Sequence, residues 1–333
     1  MSHEPATLLS IHDARVWFPI QRGVFSRTVG HVRAVDGVSL DIKPGRTLGL
    51  VGESGCGKST LARAIVGLEP LHAGSICFQG TDMSRMDADQ WKTARRDLQV
   101  VFQDPFASLN PRMTVFDIIT EALVVHKLIA GREREAVARE LLSDVGLGHE
   151  ALHRYPHEFS GGQRQRICVA RALAMKPKLI ICDEAVSALD VSVQAQIINL
   201  LMELREKYGL AYLFIAHDLS VVRHIAHEVA VMYLGQIVEH GEADAVIHHP
   251  VHPYSRALVS AIPRAGKDRK QRIVLAGEVP SPANPPPGCR FNTRCPHAVD
   301  ACSTTLPPLE SHAGTERRVA CIRKDSIAGS MGT

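Results

Sequence analysis

Nine consecutive residues, Gly52-Glu53-Ser54-Gly55-Cys56-Gly57-Lys58-Ser59-Thr60, carry the most specific chemical signal in the chain. They satisfy G-x-x-x-x-G-K-[S/T], the spacing of a phosphate-binding loop. Glycines let the backbone curl tightly, so that successive N–H groups face one anion. A helix beginning at the end of the loop adds its partial positive charge. Lys58 would then reach the β- and γ-phosphates of a nucleoside triphosphate, and the Ser59 hydroxyl would ligate Mg2+. Downstream, Asp183 and Glu184 close the apolar run Leu179-Ile180-Ile181-Cys182. Carboxylates at the C-terminal edge of a buried strand stand where α/β proteins bind ligands. Asp183 would hold Mg2+ through water, and Glu184 would orient or deprotonate an attacking water. Gln103 and His217 each end an apolar run: the first could ligate metal or position water, the second could reach the γ-phosphate. Ser160-Gly161-Gly162-Gln163 at a helix start would make a second phosphate cradle. Taken singly these last three signals are weak, since a strand-end Gln or His is commonly surface and Ser-Gly-Gly-Gln also suits a simple N-cap.

The elements that must position these groups are legible from patterning. Thr47-Leu48-Gly49-Leu50-Val51 reads as a short buried strand into the loop, and residues 61–66 as a helix out of it, ended by Gly67. Strands are expected over residues 8–16, 31–35 and 38–42, with a polar loop from Pro19 to Gly30, and again over residues 74–78, 98–102, 179–184 and 211–216. Residues 228–241 read as two strands joined at Leu234-Gly235-Gln236. Helical spacing over residues 115–125 and 133–145, the latter stopped by Gly146, marks a helical insert at about 104–165. A further helix follows the Ser-Gly-Gly-Gln stretch until Pro177, and another follows Ser187-Ala188-Leu189-Asp190 to about Lys207. Trp17 and Phe18 end the first strand, where a flat ring near a nucleotide can stack on the purine or simply pack on the core.

Gly52–Thr60, Gln103, Phe159–Gln163, Leu179–Glu184, Ser187–Asp190 and His217, in this order, resemble the Walker A, Q-loop, signature, Walker B, D-loop and H-loop of ABC transporter ATP-binding subunits. Phe159 departs mildly, standing where Leu usually begins the signature. Val16-Trp17-Phe18-Pro19-Ile20, Phe102-Gln103-Asp104-Pro105-Phe106, and His252-Pro253-Tyr254-Ser255-Arg256 are similar to the dipeptide/oligopeptide importer ATPases, and the opening to their F-type subunit. The resemblance covers about residues 7 to 323. It implies an α/β P-loop NTPase (RecA-like) ABC nucleotide-binding domain with an antiparallel β subdomain and helical insert, plus a small Cys-rich C-terminal extension. The implied division is 1–262 and 263–333. It implies ATP and Mg2+ as ligands, with Phe18 stacked on adenine and ATP held by Gly52, Ser54, Gly55, Cys56, Gly57, Lys58, Ser59, Thr60, Gln103 and Asp183. In a head-to-tail dimer, Ser160, Gly161, Gly162 and Gln163 of one subunit would close on the ATP of the other. Catalysis would fall to Glu184, His217, Gln103 and Lys58, and Mg2+ to Ser59, Gln103 and Asp183. The implied partners are a D-type ATPase subunit, two permeases and an extracytoplasmic peptide-binding protein, at the cytoplasmic face of the inner membrane. Dipeptides, longer peptides, nickel complexes and glutathione are all candidate cargo.

A net charge of +3 argues against a nucleic-acid partner, and a charged content of 22% with 45% hydrophobic residues fits a globular chain. No apolar run reaches 18 residues, and Met1-Ser2-His3-Glu4-Pro5 lacks the character of a secretory signal, so a cytoplasmic chain with reduced cysteines is expected. Two other readings compete: a soluble ABC-type ATPase acting mechanically on nucleic acid or the ribosome, and a small-molecule kinase. The single ATPase unit and the near-neutral charge oppose the first; the signature and D-loop oppose the second.

Beyond Pro263 the composition changes, with a charged link, Lys267-Asp268-Arg269-Lys270, and a stiff run, residues 280–287. Cys289, Cys295, Cys302 and Cys321 follow among few large apolar residues. A cross-link or metal would stabilise such a segment. Disulfides are disfavoured in a reducing compartment, zinc and a [4Fe-4S] cluster on four thiolates are both chemically allowed, and the family resemblance points to the iron–sulfur cluster. His297 and His312 are alternative ligands. His248, His249 and His252 lie in a Pro-rich stretch that does not preorganise a metal site.

Overall fold

The computed structural model describes residues 7–23, 26–131, 133–262 and 273–329; the charged link Lys267-Asp268-Arg269-Lys270 lies outside them. Its strands are β1 (Leu9–Arg22), β2 (Arg27–Ile42), β3 (Thr47–Val51), β4 (Ala73–Phe78), β5 (Thr81–Asp82), β6 (Leu98–Val101), β7 (Leu179–Asp183), β8 (Ala211–Ala216), β9 (Glu228–Tyr233), β10 (Gln236–Glu242), β11 (Glu310–Ser311) and β12 (Arg318–Val319). Its helices are α1 (Lys58–Ile65), α2 (Ala88–Asp97), α3 (Pro105–Ser108), α4 (Val115–Val125), α5 (Glu133–Asp144), α6 (Gly161–Leu173), α7 (Val191–Tyr208), α8 (Leu219–Ile225), α9 (Ala243–His248), α10 (Pro253–Ser260) and α11 (Lys324–Gly329). Two compact units interleave along the chain: Met1–Leu8, Ile42–Thr47 and Arg85–Ile215 in one; Leu9–Asp41, Leu48–Ser84 and Ala216–Thr333 in the other.

In the first unit β6, β7 and β8 run parallel, with Leu98 opposite Leu179 and Leu179 opposite Ala211. Every residue of β7 and β8 is buried, which is why both read as unbroken apolar runs rather than alternating ones. The insert packs on α6 through Ile118, Ile119 and Leu123 of α4 and Ala138, Leu141 and Leu142 of α5. Thr114 caps α4 by accepting the Asp117 N–H, and Arg166 of α6 donates to the Val145 carbonyl at the far end of α5.

In the second unit β2, β1, β4 and β5 form an antiparallel sheet in that order. Here the expected polar loop from Pro19 to Gly30 is corrected: β1 continues to Arg22 and β2 begins at Arg27. The backbones of neighbouring strands stay paired while their side chains reach solvent, so no apolar alternation announces them. The two strands expected over 31–35 and 38–42 are one, bent at Gly37 with φ 88°. β3 pairs parallel with β9, β9 and β10 form the expected antiparallel pair, and β12 and β11 extend this sheet from the tail. The tail thus joins the unit that carries the phosphate loop. One buried carboxylate fastens it. Glu239 of β10 accepts the N–H groups of Val251 and His252, and its Oε1 pairs with the Arg317 guanidinium at 2.6 Å.

His252 is buried and caps α10, its Nδ1 accepting the Tyr254 N–H, so the proton of the neutral ring sits on Nε2. Burial pushes its pKa down to about 3 from 6.5. The folded state therefore holds this ring neutral while the unfolded chain protonates it. Its share of stability is complete above pH 6.5 and falls as pH drops from there towards 3, at about 1.4 kcal/mol per pH unit. His252→Asn keeps an acceptor at the cap but does not titrate. Urea unfolding between pH 7 and 4 is expected to show a pH slope shallower by about one proton in this variant.

Candidate functional site

β3 delivers the chain into the glycine-rich loop, and α1 leaves it. Gly57 is the N-cap of α1 at φ 108°, and no side chain caps the helix, so its first N–H groups face the loop interior. A Cβ on Gly57 would stand 2.0 Å from the Ala34 carbonyl oxygen, and one on Gly52 would stand 2.2 Å from that of Met232. The loop is thus pressed on both sides by main chain that cannot yield. The turn between β9 and β10 adds two bonds: the Gly235 N–H donates to Cys56 O, and Gly235 O accepts the Asp36 N–H. Lys58 is buried with its ammonium turned into the loop, 2.8 Å from Gly52 O and 3.1 Å from Glu53 O. The Cys56 thiol is pushed up by burial, against the pull of Lys58.

The same unit carries Trp17, Phe18 and His217. Trp17 stacks on His72 at 4.3 Å, has the Arg33 guanidinium 4.9 Å from its ring centre and donates its indole N–H to Asp36. Those partners occupy Trp17 within the sheet, while Phe18 beside it is half-buried. His217 is exposed at the end of β8, just before Asp218 caps α8 by accepting the Ser220 N–H.

The other unit carries Gln103, Ser160–Gln163, Asp183 and Glu184. Asp183 is buried at the end of β7. Glu184 turns the chain with φ 50°, a left-handed conformation uncommon for a non-glycine residue. The turn is held by its N–H bonded to Ile215 O and its carbonyl accepting from the Ser187 hydroxyl. Gln103 is exposed after β6, and the segment behind it is stitched to α6: Arg171 donates to Ser108 O, and the Arg164 guanidinium lies 3.8 Å from the centre of the Phe106 ring. Ser160 and Gln163 form a reciprocal capping box, each side chain accepting the other's N–H. That cap shapes the start of α6 and leaves the exposed Ser160 hydroxyl on its rim. A Cβ on Gly162 would meet Val193 Cγ1 at 2.5 Å, so glycine there lets α7 approach closely.

Cys289, Cys295, Cys302 and Cys321 all line one cavity of about 20 Å³, with His252 and His297 at its wall. Their thiols suit a thiophilic metal or cluster, but among the described residues no group of three or more His, Cys, Asp or Glu is spaced to hold a metal ion. Burial pushes the Cys289 thiol up to about 11 and raises Cys295 and Cys321. The expected iron–sulfur cluster gains no support from this arrangement. His312 Nδ1 lies 3.4 Å from Asp325, and His312 is not among the residues lining the thiol cavity.

Sequence reasoning missed the groups that brace the loop. Arg294 of the tail pairs with Glu53, and the Tyr254 hydroxyl accepts the Glu53 N–H. These partners lie 241 and 201 residues apart in sequence, so no local spacing reveals them.

A glycine loop between buried strand and helix, with a buried lysine folded into it, defines a P-loop nucleotide-binding protein. Comparison sharpens the class. The profile of ABC transporter proteins matches residues 35–187, and that of the oligopeptide/dipeptide transporter C-terminal region matches residues 238–302. The chain is 52% identical over 319 residues to the oligopeptide transport ATP-binding protein AppF of Bacillus subtilis, covering 95% of this chain and 97% of the relative. It is 47% identical over 330 residues to the dipeptide transport ATP-binding protein DppF of Escherichia coli, covering 98% of each. A solved dimer of the ATP-binding cassette MJ0796, in a post-hydrolysis state bound to ADP and Pi, is similar with a TM-score of 0.63 at 27% identity, over 71% of this chain and 98% of that one. The chain belongs to the ABC transporter ATPases, in the family of oligopeptide/dipeptide transport ATP-binding proteins. Among the described residues no helix is long and apolar enough to cross a membrane.

The clash at Gly57 gives a sharp expectation. Gly57→Ala is expected to abolish measurable ATP binding and to lower Tm by several degrees, because a left-handed backbone and a 2.0 Å overlap act together. Gly55→Ala, at φ 78° with open space around it, is expected to cost only about 1 kcal/mol. Nucleotide titration and thermal melts of the two variants check the difference.

Proposed function

We propose that this chain powers uptake of dipeptides or oligopeptides by hydrolysing ATP beneath a pair of membrane permeases. The observation that carries the reading is the wedged phosphate loop with Lys58 inside it. The peptide-transport relatives and the matched C-terminal region support the cargo class, and they disfavour a mechanical ATPase on nucleic acid. In this reading the N–H groups of residues 52–60 and the Lys58 ammonium neutralise the β- and γ-phosphates. Ser59, Gln103 and Asp183 take Mg2+, which withdraws charge from the phosphates when bound. Phe18 stacks on the adenine. Glu184 orients and deprotonates the attacking water, and His217 contacts the γ-phosphate. Ser160–Gln163 of one subunit covers the ATP of its partner, so closure and hydrolysis are coupled. A D-type ATPase as that partner, an extracytoplasmic peptide-binding protein, and a position on the cytoplasmic face of the inner membrane are the finer parts of the proposal. So is the division of the chain at residue 262.

The tail carries a finer proposal still, a [4Fe-4S] cluster on Cys289, Cys295, Cys302 and Cys321, which rests on the family resemblance and the thiophilic chemistry of four cysteines and not on their arrangement. No catalytic step runs through it. Four iron and four acid-labile sulfide per chain after anaerobic purification, lost in Cys295→Ser, is the outcome it predicts; background iron removes it.

For the reaction, Glu184→Gln is expected to bind ATP within about threefold of wild type and to lower turnover about 10²–10³-fold, because the amide cannot accept the water's proton. Single-turnover hydrolysis in a dimer carrying the change in both subunits measures this. Turnover near the wild-type rate would remove Glu184 from its role.

A further inference from the structure

Glu53 has every polar group engaged. Its N–H donates to the Tyr254 hydroxyl at 2.8 Å, its carbonyl accepts the Lys58 ammonium at 3.1 Å, and its carboxylate receives both terminal nitrogens of Arg294 at 2.9 and 3.3 Å. Two-pronged guanidinium–carboxylate pairs fix orientation as well as distance. Arg294 is itself held: its side chain is only 8% exposed, and Nη1 also lies 3.5 Å from the Tyr233 hydroxyl.

The segment that supplies Arg294 is wedged in place by its neighbours. Phe291 is buried and meets Tyr233 edge-on at 5.2 Å and Tyr254 at 5.5 Å. Arg290 pairs with Asp36 at 2.6 Å. Cys289 and Cys295 bracket these three contacts, so the segment docked on the phosphate loop also lines the thiol cavity. Two charge-assisted contacts, joined through the covalent frame of Glu53, thus lead from the tail to the lysine: Arg294 to the Glu53 carboxylate, and the Glu53 carbonyl to Lys58.

We propose that Arg294 is a positioning residue for nucleotide binding. Through Glu53 it fixes the carbonyls on which the Lys58 ammonium rests, so the cysteine-rich tail sets the phosphate-binding geometry of its own subunit. The proposal rests on reading residues 52–60 as the phosphate site. Without Arg294 the Glu53 side chain loses its anchor, only the Tyr254 hydroxyl and the Cys56 N–H still hold the backbone beneath Lys58, and the platform that aims the ammonium is loosened.

Titration of the full-length chain with mant-ATP and Mg2+ tests this. Arg294→Ala and Glu53→Gln are each expected to weaken binding about tenfold, as a misaimed group does, and the double variant no further. Arg294→Lys, which keeps the charge, is expected to recover part of the affinity. Arg290→Ala, which loosens the same segment without touching Glu53, is expected to lower Tm yet weaken binding less than twofold. The proposal is overturned if Arg294→Ala and Arg294→Lys both bind within twofold of wild type. It is equally overturned if Arg290→Ala weakens binding as much as Arg294→Ala, for then the tail acts only by docking. Lys58→Ala separates the underlying reading: wild-type affinity there removes the phosphate site itself, whereas lost affinity beside an unaffected Arg294→Ala removes only the role of Arg294.

Discussion

The close packing of the phosphate loop against carbonyl oxygens is the constraint on which the second unit depends. Ala34 O and Met232 O occupy the positions where side chains of residues 57 and 52 would begin. β2 supplies one carbonyl and β9 the other, so neither strand can shift without opening the loop. That fixes where α1 begins and leaves its first N–H groups without a side-chain cap. Such a helix start favours an anion. The left-handed φ at Gly57 is therefore a structural requirement with a chemical result.

Rigidity of a different kind governs the first unit. β7 is buried on both faces and ends in two carboxylates with unlike surroundings. Asp183 remains within the strand, while Glu184 is swung out by a left-handed backbone that its bonds to Ile215 and Ser187 hold in place. Strain of about 1–3 kcal/mol at such a residue persists only where the surroundings over-determine it. α6 performs a comparable task, since its capping box and the close approach of α7 at Gly162 orient the helix start, and Arg164 and Arg171 carry that orientation to the segment after Gln103.

The tail is the part that looked least like a core, and in the fold it is fastened by charge. Glu239 and Arg317, Asp36 and Arg290, and Glu53 and Arg294 are three ion pairs in which a tail arginine is at most 11% exposed. Removing one partner of such a pair leaves a buried charge unpaired, so the pairs specify where the tail docks more than they add stability. With few large apolar residues available, directional pairs and the buried Phe291, Val319 and Ile327 do the fitting.

Much of this architecture was legible in residue order. The strands at 179–183 and 211–216, and the helices of the insert, follow from runs whose local composition and burial agree. The outer halves of β1 and β2 were not legible, because a paired strand with both faces wet has no hydrophobic period. Nor was the use of Trp17, whose partners His72 and Arg33 lie on other strands or turns. The sequence by itself determined the phosphate loop, since G-x-x-x-x-G-K-S is a local pattern whose backbone demands are met by the residues that spell it. Only the tertiary structure decided what braces that loop. The Ala34 and Met232 carbonyls, Tyr254 and Arg294 reach it from distant parts of the chain, and folding brings them together by long-range packing and ion pairing that leave no periodic trace.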